Sequence, residues 1–383
     1  MRVIIYTGKG GVGKTSMAAA TACNIAGSGK KVMIMSTDQA HSLGDAFDCR
    51  IGCEPTEIRE NLYALETDAV AESEKSWGSL KDYFKRLLTL KGGDGIETEE
   101  LLVFPGLEEL FSMFKILELY ESGRYDTIIV DCAPTGETLS LLRYPERFSA
   151  LIEKVLPMKK AGVKTVGPAV EAVTKIPMPD MNVFDDIERL MNKMQRLQEL
   201  MLNKDVVSLR VVTTPEKIVI NEAKRNFTCL YLYHYNVDAV IVNHIYPQRA
   251  MEGYFGKWMR LQEEGLDEIK ESFSEVPKFY VELQPYEIRT LKVLDKVGGM
   301  IYGTDPDEVL FRQEIYRTDT EKKQLSIYLP FAGKDELILE QDRGEISVGV
   351  RNERRRFPIP SGLAGLDVAG ASFENGYLTI RFE

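Results

Sequence analysis

Apolar residues arrive in short unbroken blocks along the first two thirds of the chain. Val3, Ile4, Ile5 and Tyr6 form the first block, and Arg2–Thr7 is predicted to be a strand covered on both faces. Ser16–Gly27, rich in alanine and closed by Gly27 and Gly29, is predicted to be a helix. Lys31–Met35, Thr127–Val130, Ser208–Val212 and Val237–Val242 are predicted as further strands. Helical stretches, roughly 68–91, 98–123, 137–156, 184–203, 215–234 and 250–272, lie between and after them. Strand, glycine-rich loop, helix, strand is a βαβ unit, which implies parallel pairing. The expected fold class is α/β: a doubly wound, mostly parallel sheet with a large helical insertion.

The pattern changes after Thr304-Asp305-Pro306. Leu325, Ile327 and Leu329 alternate with Ser326 and Tyr328, and Ile346, Val348 and Val350 alternate in the same way. Leu378, Ile380 and Phe382 do so again after Asn375-Gly376. Alternation between turn residues predicts a small antiparallel β-sandwich. A chain of 383 residues is too long for one ordinary core. The expected division is 1–304 for the α/β part and 311–383 for the sandwich, with helical insert regions at about 68–123 and 151–204.

Composition removes some functions. Hydrophobic residues at 44% and charged residues at 28% suit a folded globular protein rather than a disordered one. A net charge of −11 argues against nucleic acid as the partner, because phosphate contacts need Lys and Arg. No apolar run is long enough for a signal peptide or a membrane span. The cysteines, Cys23, Cys49, Cys53, Cys132 and Cys229, are odd in number and scattered, with no C-x-x-C pair. That fits a reducing compartment and no structural zinc. The expected location is the cytoplasm, or a plastid stroma in a photosynthetic eukaryote. His41, His234 and His244 have no triad spacing, so hydrolase and metal-site readings gain nothing from them.

The segment Gly8-Lys9-Gly10-Gly11-Val12-Gly13-Lys14-Thr15 fits G-x-x-x-x-G-K-[ST] and lies between the first strand and the first helix. Its glycines let successive N–H groups point at phosphates, and the helix start at Ser16 adds its positive end. Gly8, Gly10, Gly11, Val12, Gly13, Lys14, Thr15 and Ser16 are therefore expected to hold ATP or ADP. Lys14 is expected on the β- and γ-phosphates and the Thr15 hydroxyl on Mg²⁺. Asp38, just past the second strand, can hold the attacking water and reach the Mg²⁺ through water. Asp131 ends an apolar strand, where a carboxylate can orient Mg²⁺ through its waters.

Three motifs carry a family resemblance. They are the loop with its second lysine, Lys9; the segment Ser36-Thr37-Asp38-Gln39-Ala40-His41-Ser42-Leu43-Gly44-Asp45-Ala46-Phe47; and Asp131-Cys132-Ala133-Pro134-Thr135-Gly136-Glu137-Thr138-Leu139. In these the chain resembles the ArsA family, which contains the arsenical pump-driving ATPase and the eukaryotic targeting factor for tail-anchored membrane proteins. The resemblance covers residues 1 to about 300. It implies a P-loop NTPase with a deviant Walker A loop, in which Lys9 reaches the nucleotide of a facing subunit, as an arginine finger does. With one such loop in the chain, a homodimer is implied. Asp38 is implied as catalytic. Asn243 matches the residue that reads the base, and Leu283-Gln284-Pro285-Tyr286-Glu287 the loop beside it, with Pro285 expected near adenine. Thr213, Pro215, Glu216 and Glu222 match a weaker family segment.

Gln39 and Glu137 stand where the family usually has proline and histidine, and the zinc-binding C-x-x-C of the targeting factor is absent. The region 151–204 corresponds to that factor's client groove. Ile187, Leu190, Met191, Met194, Leu197 and Met201 form one helical stripe there, with Met158, Met178 and Met181 nearby. Methionine suits a surface that accepts varied apolar helices, while an ordinary amphipathic core helix gives the same spacing. Residues 311–383 resemble the α-crystallin domain of small heat-shock proteins, through Ile327–Gly333 and Ala371–Ile380. Three functions stay open: an ATP-driven chaperone or targeting factor for hydrophobic or membrane-protein clients, the ATPase subunit of an arsenite or anion pump, and a nucleotide-gated scaffold. In each, membrane contact runs only through a client or partner.

Overall fold

Strand β1 (Arg2–Thr7) lies between two parallel neighbours, β5 (Thr127–Asp131) and β6 (Val207–Thr213). Val3–Tyr6 are fully buried, as a block with no polar position requires. The computed structural model describes residues 1–37, 42–68, 72, 107–132, 181–250, 255–303, 305–342 and 344–383. The sheet is completed by β2 (Val32–Ser36), β3 (Thr56–Arg59), β4 (Leu62–Glu66), β7 (Val237–Ile245) and β8 (Lys278–Glu282). Its eight strands run in the order β3-β4-β2-β5-β1-β6-β7-β8, and every pair is parallel except β3 with β4. Chain direction across the sheet reverses at β1, so the loop after β1 opens at the switch point where such sheets bind ligands.

Helix α1 (Lys14–Gly27) covers one face together with α2 (Ser42–Phe47) and α7 (Leu291–Ile301). Met17, Ala18, Ala22, Leu294 and Val297 share one core with Ile4, Ile34 and Ile241. The other described helices are α3 (Leu107–Glu121), α4 (Met181–Leu202), α5 (Lys217–Leu232) and α6 (Gly256–Ser272). The polar core is concentrated at Arg210, which is fully buried. It donates to Asp238 Oδ1 at 3.2 Å, to the Tyr302 hydroxyl at 3.1 Å and to the Pro306 carbonyl at 2.5 Å. Arg2 joins through Ser208 at 2.7 Å, and Ser208 donates to Asp238 Oδ2 at 2.8 Å. This network fastens the segment after α7 beneath the sheet, with every charge partnered.

The C-terminal strands form two antiparallel sheets. One is β14 (Val368–Glu374), β15 (Tyr377–Phe382), β10 (Gln324–Tyr328) and β9 (Tyr316–Asp319); the other is β11 (Leu337–Asp342), β12 (Glu345–Val350) and β13 (Glu353–Pro358). Leu325, Ile327, Leu329, Ile346, Val348 and Val350 are all buried in the core between them, joined by Leu378, Ile380 and Phe382. The sandwich expected from alternation is present. Leu232 at the end of α5 belongs to the same core, and its carbonyl accepts from the Tyr316 hydroxyl at 2.5 Å and from Arg355 at 3.1 Å. The last carbonyls of a helix lack partners within it, so this contact caps α5 with the sandwich.

The chain divides into two compact units, and the second comprises Thr67–Ser122 and Gly136–Leu200. Within it Lys193 of α4 stands 4.6 Å above the Phe114 ring of α3, and Arg196 pairs with Glu121. Ile187, Leu190, Met194, Leu197 and Met201 of α4 are buried, and Met191 is half-buried. The stripe expected as a client groove is packed as core in this conformation, because 3-4 spacing serves a core seam as readily as a groove. The expected helices at 68–91 and 137–156, and Met158 and Met178, lie outside the described residues. Among the described residues, no helix is long and apolar enough to cross a membrane.

His234 follows α5 in a left-handed conformation, with φ of 70° and its ring centroid 4.7 Å from that of Tyr316. Burial pushes its pKa down to about 4, helped by Lys204 and Arg355. The folded protein thus holds it neutral while the unfolded chain takes a proton below about 6.5. The resulting stability is full above pH 6.5 and is lost as pH falls toward 4. Asn accepts the same backbone conformation. On acidification from pH 7 to pH 4, the urea midpoint of His234→Asn should fall less than that of the unmodified chain. Equal falls would contradict this.

Candidate nucleotide site

The loop after β1 curls because glycine stands where no side chain fits. Gly13 has φ of 87°, and a Cβ there would lie 2.4 Å from Asn243 Nδ2. A Cβ on Gly8 would lie 2.3 Å from the Val212 carbonyl oxygen of β6. The loop is therefore pressed against the ends of β6 and β7. Asn243, near the end of β7 and 1% exposed, donates from Nδ2 to the Val12 carbonyl at 2.9 Å. Its Oδ1 is buried and has no hydrogen-bond partner among the described residues.

A cavity of about 1120 Å³ opens beside this loop. Gly10, Gly11, Gly13, Lys14, Thr15 and Ser16 line it from the loop side. Asn243, His244 and the segment Leu283–Arg289, Pro285 included, line it as well. Val12 is buried beneath the loop. Lys14 Nζ donates to the Lys9 carbonyl at 3.2 Å, which holds its ammonium over the loop. Lys9 is not part of the cavity wall; its ammonium faces Glu222 Oε2 of α5 at 3.7 Å. Burial lowers the pKa of His244, so this side of the cavity presents a neutral imidazole near pH 7.

At the loop's far end three oxygen groups converge. Thr15 Oγ1 donates to Asp131 Oδ2 at 2.6 Å and lies 3.1 Å from Ser42 Oγ. Thr15 lies in the first turn of α1, Asp131 ends β5 and Ser42 begins α2, so three separate elements meet at one hydroxyl. Hydroxyl and carboxylate oxygens suit a hard divalent cation such as Mg²⁺. Among the described residues there is no cluster of three His, Cys, Asp or Glu, so any such ion would need oxygens from a phosphate or water to complete its shell. A buried unpartnered amide oxygen, a glycine cradle and an oxygen cluster fit a nucleoside triphosphate with its cation. Asp38 lies outside the described residues, as do Gln39, His41 and Pro134–Glu137.

Comparison with known proteins agrees with this geometry. The family model for ArsA ATPase, described as an anion-transporting ATPase, matches residues 1–303. The chain belongs to the ArsA ATPase family. It is an ATPase. A second model, an HSP20-like domain found in ArsA, matches residues 320–382. The chain is 34% identical over 391 residues to the "Putative arsenical pump-driving ATPase" of Chlorobaculum tepidum, covering all of this chain and 96% of that protein. It is 33% identical to the "Putative arsenical pump-driving ATPase 1" of Aquifex aeolicus, with 99% of each chain covered. It is 26% identical to "ATPase ASNA1 homolog 1" of Paramecium tetraurelia over 76% of this chain and 88% of that one.

Sequence reading placed Ser42 only within the motif Ser36–Phe47 and Tyr286 only within the loop beside the base, and gave Arg289 no role. Arg289 lines the cavity and pairs with Asp48, and the Thr290 N–H donates to the Ala46 carbonyl at 2.9 Å. These contacts bind the Leu283–Arg289 segment to the end of α2. No local motif announces them, because they join residues more than 200 positions apart. The cradle itself makes a prediction. Gly13→Ala should cost about 1–2 kcal/mol from the left-handed backbone alone. The new methyl should also displace Asn243, abolishing binding of a fluorescent ATP analogue. Wild-type affinity in that variant would contradict the assignment of the loop.

Proposed function

We propose that this ArsA-family ATPase hydrolyses ATP with Mg²⁺ as a homodimer that opens and closes, and that it chaperones or targets hydrophobic or membrane-protein clients. The observation that carries the nucleotide part is the meeting of Thr15, Asp131 and Ser42 beside a loop whose Asn243 keeps a buried, unpartnered acceptor. Asn243 Oδ1 suits the exocyclic 6-amino group of adenine, a position at which guanine carries a carbonyl oxygen. Lys14 balances the charge of the outer phosphates. Thr15 would hold Mg²⁺ through its hydroxyl, and Asp131 and Asp38 would act on that ion through water. Bound there, Mg²⁺ would neutralise phosphate charge and orient the terminal group. Asp38 is the proposed holder of the attacking water.

Lys9 supports the dimer. It lies outside the cavity formed by its own loop. A cation there serves hydrolysis only if it reaches a nucleotide on another chain, where it would offset charge in the transition state. The client part rests on the ArsA likeness and on the methionines of α4. Met191, Met194, Leu197 and Met201 would have to leave the core when the dimer closes over ATP. The names of the Chlorobaculum and Aquifex relatives favour a second reading, an ATPase that drives a metalloid or anion pump.

Asp38→Asn should bind ATP normally while turnover falls about 10²–10³-fold. Lys9→Ala should lower turnover by a comparable or larger factor with little change in nucleotide affinity. Normal hydrolysis by either variant would remove that residue from the mechanism. Mass spectrometry of what co-purifies with Asp38→Asn separates the readings. Apolar helical segments would support a chaperone, whereas arsenite-stimulated turnover of the unmodified chain would support the pump.

A further inference from the structure

The nucleotide cavity is bordered both by the segment Leu283–Arg289 and by Thr15 of α1 and Ser42 of α2. The oxygens that suit a cation belong to the second group, with Thr15 Oγ1 3.1 Å from Ser42 Oγ and 2.6 Å from Asp131 Oδ2. The two groups are joined through the far end of α2. Arg289 pairs with Asp48, just past that helix, and the N–H of Thr290 donates to the Ala46 carbonyl at 2.9 Å. From Ser42 to Phe47 the helix is only about 9 Å long, so a constraint at one end reaches the other. It is held as one piece. Leu43 and Phe47 are buried in the core shared with α1 and α7, and the Gly44 N–H donates to Glu66 Oε1 at 2.9 Å.

Thr290 shows that this junction is under tension. Its φ is 70° and its ψ 147°, a region that glycine enters readily and a β-branched residue does not. A residue stays in such a conformation only where its surroundings over-determine it. Here both of its backbone polar groups are taken. The N–H goes to Ala46 of α2, and the carbonyl accepts from Val293 and Leu294 at 3.1 and 3.0 Å, which starts α7. Helix α7 cannot yield, because it is pressed against α1: a Cβ on Gly298 would lie 2.3 Å from the Ala20 carbonyl oxygen. The strain therefore falls on the short link between α7 and α2. Strain of this kind collects at clamps and switch regions.

We propose that Arg289, Thr290 and Asp48 form a clasp that couples recognition of the base to the cation end of the cavity. Arg289 and Asp48 are positioning residues: they act through α2, which carries Ser42 to the Thr15 hydroxyl. A base seated against Leu283–Arg289 steadies the clasp, and the clasp steadies Ser42. A triphosphate with no base leaves that segment unloaded and gains nothing from it. Coupling of this kind is reciprocal, so the cation also strengthens the hold on the base. The strained Thr290 keeps the clasp easy to open, which suits a site that must release its product. The proposal rests on the reading of Thr15 and Asp131 as the Mg²⁺ site and adds the link from that site to the base.

The test is calorimetric titration of the full chain with ATP and with inorganic tripolyphosphate, each with and without Mg²⁺. Asp48→Ala and Arg289→Ala should each cut the affinity gained from Mg²⁺ with ATP about 2- to 5-fold, the range of an exposed ion pair. The gain with tripolyphosphate should not change. The double variant should lose no more than either single one, because both remove the same contact. Exchange of the charges, Asp48→Arg with Arg289→Asp, should restore most of the loss. Thr290→Gly accepts the same backbone without strain and should raise ATP affinity at least about 3-fold, with tripolyphosphate binding unaltered. Equal losses with both probes, or additive losses in the double variant, would mean a merely structural role and overturn the proposal. So would an unchanged Mg²⁺ gain in both single variants, or a Thr290→Gly chain that binds ATP no better. An unmodified chain whose ATP affinity ignores Mg²⁺ is a different failure: it removes the metal reading, and the clasp with it.

Discussion

The hydrogen bond from Thr15 to Asp131 is the contact on which the site depends. It spans 2.6 Å between residues 116 positions apart, and it exists because β1 and β5 are parallel neighbours. Parallel pairing brings the C-terminal ends of both strands to one edge of the sheet. The loop after β1 and the carboxylate at the end of β5 then meet without any further device. A hydroxyl donating to a carboxylate is among the stronger protein hydrogen bonds. Ser42 joins from α2, and Asn243 of β7 holds the loop through Val12. Each contact comes from a strand end or from the helix that follows one.

Sequence and structure agree where burial is complete. β1, β2 and β5 centre on unbroken apolar runs, and β6 and β7 are apolar strands interrupted by Ser208, Arg210 and Asp238, so little besides a strand covered on both faces suits them. The strands that escaped sequence reading are β3, β4 and β8; β4 is a short apolar run, while β3 and β8 carry mixed patterns, and in β8 Lys278 and Phe279 are half-buried, Tyr280 is exposed and only Val281 is buried. Helix α7 escaped too, since its short run Leu291–Ile301 follows a glutamine- and proline-bearing loop and reads as a continuation of it. In the sandwich, strict alternation located nine core residues correctly but only three of the seven strands. The other four lack a clean period of two.

The candidate site was legible to the extent that it is contiguous in sequence. Gly8–Ser16 is one motif, and the placement of its glycines follows from what would collide there. Contacts made through space were not legible: Ser42 on Thr15, Arg289 on Asp48 and Glu222 beside Lys9. Methionine spacing on α4 could not distinguish a groove from a core, because burial of the same face satisfies both. Helix α5 shows how far one element can reach. Glu222 meets the lysine of the nucleotide loop near one end, while Leu232 at the other is buried in the sandwich core. The ATPase core and the HSP20-like domain therefore share a helix.

In the proposed function Asp131 is a partner of the magnesium site rather than a turn residue at a strand end. Calorimetric titration of ATP into Asp131→Asn, with and without Mg²⁺, tests this most directly. The account predicts that the gain in affinity given by Mg²⁺ largely disappears while metal-free binding persists. A Mg²⁺ dependence identical to that of the unmodified chain would contradict it.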